Sequence, residues 1–86
     1  MRLDKFLKVS RIIKRRPLAK EIAEKDRIKI NGTVAKPSVV VAVGDEIEIT
    51  FGQSVLTLEV KRLKDHVKKE EATTLYEIIK QERISE

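Results

Sequence analysis

Hydrophobic residues near the amino terminus recur with the period of an α-helix. Leu3, Phe6 and Leu7 follow the i, i+3, i+4 spacing of one helix face. Pro17 follows further along, and proline is tolerated at the first position of a helix but poorly inside one. The pattern therefore predicts two short helices over residues 3–25, with the second beginning at Pro17.

The hydrophobic period then changes to the two-residue alternation of β-strands. Ile28 and Ile30 alternate with cations, and Asn31-Gly32 is a strong signal for a two-residue hairpin turn. Two later segments each place three apolar side chains on one face: Ile47, Ile49 and Phe51, then Leu56, Leu58 and Val60. We predict an α+β fold in which two amino-terminal helices pack on a small twisted antiparallel sheet.

The carboxyl-terminal part of the chain has a different pattern. Residues 64–71 are mostly charged and offer little to bury, which is typical of a linker. Thr74 and Glu77 have the spacing of a capping box, and an apolar stripe accompanies them, formed by Leu75, Ile78 and Ile79. The sequence thus predicts one domain over residues 1–63, then a charged linker and a short C-terminal helix over 64–86.

The composition argues against an enzyme. The chain has no cysteine, one histidine and three glycines, so a thiolate metal site and a glycine-rich phosphate loop are both excluded. His66 lies in the charged linker without ligand or triad partners at a useful spacing, and is interpreted as a solvent-exposed side chain. We expect no catalysis, no metal and no cofactor.

The chain shows no pattern of export or membrane insertion. Its longest apolar run, Val39 to Val43, has five residues, whereas about 20 are needed to span a bilayer. The charged amino terminus lacks the apolar core of a signal peptide. Together with the absence of cysteine, these patterns favour the cytoplasm and exclude a membrane partner.

Positive charge is concentrated at one end of the chain. The net charge is +5, but residues 1–30 hold eleven Lys or Arg against four Asp or Glu, and residues 31–60 hold one against four. No acid lies between Lys5 and Lys20, so we expect that internal ion pairing cannot neutralise this set of cations, and binding to phosphates would relieve their repulsion. A solvated basic face that binds nothing is the alternative.

The aromatic residues distinguish between kinds of nucleic-acid binder. The chain has two Phe and one Tyr, and both Phe are predicted at core-facing positions. A stacking platform for unpaired bases is therefore not expected. Recognition should use the phosphates, 2′-hydroxyls and shape of a folded RNA, although charge alone does not exclude duplex DNA.

The order of the motifs resembles the S4 RNA-binding domain. The resemblance is carried over about residues 1–50 by the segments RLDKFL, LAKEIAEKDRIKING and KPSVVVAVGDEIEI. It implies that the helical pair faces a folded RNA. Two positions depart from the usual pattern: Arg16 stands where Ser or Thr often caps the second helix, and Asp26 lies where glycine usually ends it. We expect the second departure to cost some stability.

The resemblance implies RNA contacts at the start of each helix, and neighbouring cations would add phosphate contacts. The predicted RNA-binding set is Arg2, Lys5, Lys8, Arg11, Lys14, Arg15, Arg16, Lys20 and Lys36. Asp4 has two interpretations, since it can stabilise the positive end of the helix dipole or orient Arg2 and its neighbours. We favour the first.

The chain length and the segment VKKEEATTLYEIIKQE resemble stand-alone family members of bacterial ribosome-associated quality control and, more distantly, a small heat-shock member. This resemblance implies a monomeric, non-catalytic factor that binds the obstructed large ribosomal subunit through ribosomal RNA and peptidyl-tRNA. Such a factor would assist the partner protein RqcH in adding a C-terminal alanine tail to the stalled chain. The alternative is an accessory subunit that brings a separately encoded RNA-modifying enzyme to RNA.

Overall fold

A five-stranded antiparallel sheet with a short helix packed against it forms the fold. The computed structural model describes residues 1–13, 21–51 and 53–83, and of Phe51 the backbone alone. The elements are α1 (Leu3–Val9), β1 (Ile28–Ile30), β2 (Thr33–Val34), β3 (Glu46–Phe51), β4 (Ser54–Val60), a 3₁₀ helix (Lys69–Thr74) and β5 (Tyr76–Arg83). The strand order is β2-β1-β3-β4-β5. The predicted α+β class is confirmed, although strands outweigh helices in the described residues.

The predicted inner face of α1 is confirmed. Leu3, Phe6 and Leu7 are fully buried in one core with the inner faces of the sheet. The first N–H groups of a helix lack partners within the helix. Here the Leu3 N–H donates to the Val39 carbonyl at 2.7 Å, and the Asp4 N–H donates to the Pro37 carbonyl at 3.2 Å. The loop after β2 therefore holds the start of α1 in place.

The second predicted helix is described only in part. Residues 21–24 are helical, and Ile22 and Ala23 are buried, as expected for its inner face. Its predicted beginning at Pro17 lies outside the described residues. Asp26 has a φ of 58°, so the chain leaves this helix through the left-handed conformation that glycine usually provides.

The predicted hairpin is confirmed. Asn31 and Gly32 have φ values of 53° and 86°, and positive φ at both central residues is the requirement of a type I′ turn. The Asn31 side chain adds two contacts, because its Nδ2 donates to Asp45 Oδ1 at 3.1 Å and its Oδ1 accepts from the Glu46 N–H at 3.0 Å. The turn thereby links β1 to the beginning of β3.

We expect Gly32→Ala to lower the free energy of unfolding by about 1–2 kcal/mol, because a Cβ disfavours the left-handed conformation. A steric clash does not contribute to this loss, since nothing lies within 4 Å of the position that a Cβ would take. Gly32→Asn is the matched control and should lose less, because Asn tolerates this conformation better. Urea unfolding of both variants checks the prediction, and equal losses would contradict it.

The core lies between α1 and the inner faces of the central strands. Ile28 pairs in register with Ile49, and Ile47 pairs with Leu58, and all four side chains are fully buried. Val60 is buried beside them, as the alternation predicts. Cross-strand apolar pairs of this kind stabilise both the sheet and its register.

The prediction of a short C-terminal helix is wrong. Residues Tyr76–Arg83 form β5, which pairs antiparallel with β4, and Thr74 belongs to the preceding 3₁₀ helix. Leu75 is fully buried, whereas Ile78 and Ile79 are about half exposed. The physical reason is the open edge of β4: it offers hydrogen bonds that a solvated helix would not replace, and β-branched and aromatic residues suit a strand.

The segment between β4 and β5 is anchored rather than free. Leu63 and Val67 pack against the core, and the Lys61 N–H donates to the Leu75 carbonyl at 2.8 Å. β5 joins a sheet whose other strands come from residues 28–60. The division of the chain at residue 63 stays a prediction. No helix in the described parts is long and apolar enough to cross a membrane.

Candidate nucleic-acid interface

The start of α1 presents a guanidinium held by a buried carboxylate. Arg2 Nη2 lies 3.3 Å from Asp4 Oδ2, and the side chain of Asp4 is 4% exposed, against 51% for Arg2. Asp4 Oδ1 also accepts the Lys5 N–H at 2.8 Å. Asp4 is in the first turn and contacts Arg2, so the geometry fits both interpretations of this residue.

The cations that follow lie one turn apart. Lys5 and Lys8 are three residues apart and so lie on one side of α1. Arg11 has a φ of 61°, and its N–H donates to the Lys8 carbonyl at 3.0 Å, so the chain turns sharply just after the helix. Lys8 and Arg11 are exposed, and neither forms an ion pair with any residue that the structure describes. Their charge is available to an anion.

A groove of about 580 Å³ runs beside these cations. Lys5, Lys8 and Arg11 line one wall, and Asp65 and His66 line the other. The second wall belongs to the segment between β4 and β5, which packs against the core on either side of these two residues. The groove therefore has one basic wall on α1 and, opposite it, a wall that carries an acid and a histidine.

Lys5 is paired across the groove. Its Nζ donates to Asp65 Oδ1 at 3.1 Å, and the hydrogen bond and charge of Lys5 lower the pKa of Asp65. The prediction that ion pairing cannot neutralise the basic stretch is wrong for Lys5, because its acid comes from 60 positions further along the chain. Both side chains are well exposed, so the pair contributes little to stability.

Lys36 is paired as well. It lies directly before Pro37, the residue that holds the start of α1, and its Nζ donates to Asp26 Oδ1 at 2.9 Å. Both side chains are exposed, so this pair also contributes little to stability. Lys36 therefore follows β2 in the loop that bonds to the start of α1, but its charge is paired with Asp26.

The cations at the far edge of the sheet contrast with those of α1. Lys61 Nζ lies 2.8 Å from Glu59 Oε2 and 3.1 Å from Glu77 Oε2, and Lys80 Nζ lies 2.9 Å from Glu82 Oε1. Hydrogen bonds to Glu59 and Glu77 raise the pKa of Lys61, and the one to Glu82 raises the pKa of Lys80. The charges of Lys61 and Lys80 are thus paired locally, whereas Lys8 and Arg11 have no ion-pair partner among the described residues.

The structure brings together four of the predicted contact residues on or directly beside α1. They are Arg2, Lys5, Lys8 and Arg11. Four others, Lys14, Arg15, Arg16 and Lys20, lie outside the described residues. Asp65 and His66 were missed as neighbours of this surface, because only a tertiary contact places them opposite α1. His66 is exposed, as predicted, but it lines the groove.

A short basic helix packed on a five-stranded antiparallel sheet defines a small α+β protein with a candidate anion-binding surface. The chain belongs to the S4 domain family, whose model matches residues 1–47. The predicted S4 resemblance over the amino-terminal half is thereby confirmed.

Relatives extend the similarity over the full length. The chain is 61% identical to the RQC P-site tRNA stabilizing factor of Halalkalibacterium halodurans, over 99% of this chain and 97% of that protein. It is 58% identical to the Bacillus subtilis protein of the same name, over the whole of both chains. The trimeric heat shock protein 15 of Vibrio cholerae has a TM-score of 0.83 at 34% identity and covers 91% of this chain and 80% of its own. The predicted resemblance to quality-control and heat-shock members is confirmed.

Proposed function

We propose that this protein is a non-catalytic RNA-binding factor of ribosome-associated quality control. It binds the obstructed large ribosomal subunit through ribosomal RNA and through the peptidyl-tRNA in the P site. In this position it assists RqcH in adding alanine residues to the carboxyl terminus of the stalled chain. The protein acts as a monomer in the cytoplasm and needs no metal or cofactor.

The observation that carries this proposal is the unbalanced charge at α1. Lys8 and Arg11 face solvent beside a groove, whereas Lys61 and Lys80 are each paired with carboxylates. Unpaired cations that lie side by side attract a phosphate chain, and the chain releases counterions when it binds them. Relatives 57–61% identical to this chain carry the name RQC P-site tRNA stabilizing factor, which favours tRNA as one of the bound RNAs.

The tailing role is tested in cells. We expect that deletion of the gene abolishes alanine tails on stalled chains, as detected by mass spectrometry of peptides released from obstructed large subunits. Re-expression of the wild-type chain should restore the tails. Tails of unchanged length and abundance in the deletion strain would contradict the RqcH part of the proposal while leaving RNA binding open to its own test.

An accessory role with a separate RNA-modifying enzyme has less support. In that alternative the apolar stripe of Leu75, Ile78 and Ile79 would serve as a docking helix. Ile78 and Ile79 instead lie on the paired strand β5, and Leu75 is buried just before it. Affinity purification separates the two functions. We expect ribosomal components and no methyltransferase or pseudouridine synthase; recovery of such an enzyme in stoichiometric amount would favour the alternative.

Salt dependence tests the electrostatic basis of RNA binding. If about six phosphates are contacted, the logarithm of the binding constant should fall with the logarithm of salt concentration with a slope of roughly −4 to −5. Fluorescence anisotropy with an end-labelled RNA hairpin, measured over a range of salt concentrations, gives this slope. A slope near zero would contradict binding through phosphates.

A further inference from the structure

The groove beside α1 holds a carboxylate where an anion would bind. Asp65 Oδ1 accepts a hydrogen bond from Lys5 Nζ at 3.1 Å, and Lys8 and Arg11 line the same wall as Lys5. A carboxylate oxygen and a phosphate oxygen make the same kind of charge-assisted hydrogen bond to an ammonium group. Asp65 therefore occupies the place of a phosphate oxygen at Lys5.

The ion pair between Lys5 and Asp65 can separate at little energetic cost. The side chain of Asp65 is 71% exposed and that of Lys5 is 42% exposed, so water screens their attraction and separation costs little. The carboxylate of Asp65 is ionised at neutral pH, as that of an ordinary aspartate is, and Lys5 lowers its pKa further. A phosphate that approaches Lys5 thus competes with the Asp65 carboxylate, which is always ionised at neutral pH but binds Lys5 only weakly.

The backbone that carries Asp65 is held in place beside α1. Asp65 lies between Leu63 and Val67, and both of these apolar side chains pack against the core. The backbone of the segment consequently stays beside α1 while the carboxylate itself remains free to turn away. His66, on the same segment, adds a hydrogen-bonding side chain to the wall that Asp65 would vacate.

We propose that this groove is a phosphate-binding subsite in which Asp65 competes with an RNA phosphate for Lys5. A phosphodiester group of the bound RNA displaces the carboxylate and contacts Lys5, with Lys8 and Arg11 beside it. Asp65 thereby weakens the binding of a phosphate chain that enters the groove, because the chain must first displace the carboxylate from Lys5. The inference rests on the proposed RNA-binding function. It adds the groove as the place where a phosphate binds and Asp65 as the group that competes with it.

Asp65→Asn is the direct test, with Glu82→Gln as the matched control. Glu82 is similarly exposed and is also paired with a lysine, Lys80 at 2.9 Å, but it lies on β5. Both variants add the same charge. At about 0.1 M salt we expect Asp65→Asn to bind an end-labelled RNA hairpin about 5–10 times more tightly, because a phosphate no longer has to displace a carboxylate from Lys5. The salt slope should stay the same, because the same number of phosphates is contacted. Glu82→Gln should change affinity less than about twofold and leave the slope unchanged.

A double-mutant cycle shows whether Asp65 acts through Lys5. In the Lys5→Ala background, Asp65→Asn should give no more than the small gain of Glu82→Gln, since the contested cation is gone. A full gain that persists without Lys5 overturns the competition. Equal gains from Asp65→Asn and Glu82→Gln overturn it too, because they reveal only a long-range charge effect.

The same titrations separate this inference from the proposed function. If the wild-type chain binds RNA with a steep salt slope while Asp65→Asn behaves like Glu82→Gln, the subsite is wrong and RNA binding stands. If the wild-type chain does not bind the hairpin, RNA binding through this surface fails, and the subsite fails with it.

Discussion

The triple variant Lys5→Ala, Lys8→Ala, Arg11→Ala is expected to bind structured RNA about 100–1,000 times more weakly at about 0.1 M salt. Three phosphate contacts are removed, and each releases close to one counterion on binding. All three side chains line the groove beside α1, so the loss falls on one surface. Fluorescence anisotropy with an end-labelled RNA hairpin measures the affinity.

A charge-matched control distinguishes loss of the α1 surface from loss of net charge. The triple variant Lys61→Ala, Lys80→Ala, Arg83→Ala removes the same charge from the far edge of the sheet, where both lysines are already paired with carboxylates. We expect it to lose less than about fivefold, through long-range attraction alone. Equal losses in the two triple variants would show that net charge, and not the α1 surface, determines binding.

Phe6→Ala is expected to lower the free energy of unfolding by about 3–5 kcal/mol. Phe6 is fully buried and belongs to the core that joins α1 to the sheet, so truncation leaves a cavity in a small core. Small domains have only about 5–15 kcal/mol of stability in total, so much of the population can unfold. Urea unfolding followed by circular dichroism measures the loss.

Val43→Ala is the control for this change. Val43 is 61% exposed, and the loss from its truncation should stay within about 0.5 kcal/mol. A loss below about 1 kcal/mol for Phe6→Ala would contradict the packing of α1 on the sheet. The α1 charge variant should keep its stability while losing RNA affinity, which separates the binding surface from the core.

The sequence predicts those structural elements whose conformation depends on residues close together in the chain. Asn31-Gly32 specifies its turn because both residues accept positive φ, and this turn then places β1 against β2. The helical spacing of Leu3, Phe6 and Leu7 likewise defines the buried face of α1 without help from distant residues. In both cases a few neighbouring side chains determine the backbone.

The carboxyl-terminal strand could not be predicted in this way. Leu75, Ile78 and Ile79 have a spacing that also fits a helix face, and a helix was predicted. The outcome depends on β4, whose open edge lies nearby only in the folded chain. Hydrogen bonding along this edge and the burial of Leu75 outweigh local helix capping.

The candidate RNA-binding surface could likewise be predicted only in part. The cations on α1 follow from their three-residue spacing, whereas the ion-pair partners of Lys5 and of Lys36, in the loop after β2, do not. Lys5 meets Asp65 and Lys36 meets Asp26 only through tertiary contacts. A charge pattern thus gives the position of a basic surface but not which of its charges are already neutralised.

Sedimentation with obstructed large ribosomal subunits tests the central claim most directly. The wild-type chain, mixed with subunits that retain peptidyl-tRNA and centrifuged through a sucrose gradient, should migrate with the subunits. The variant lacking Lys5, Lys8 and Arg11 should stay at the top of the gradient, and the charge-matched variant of the far sheet edge should migrate like wild type. Wild-type protein that stays at the top, or an α1 variant that migrates fully with the subunits, would contradict the account.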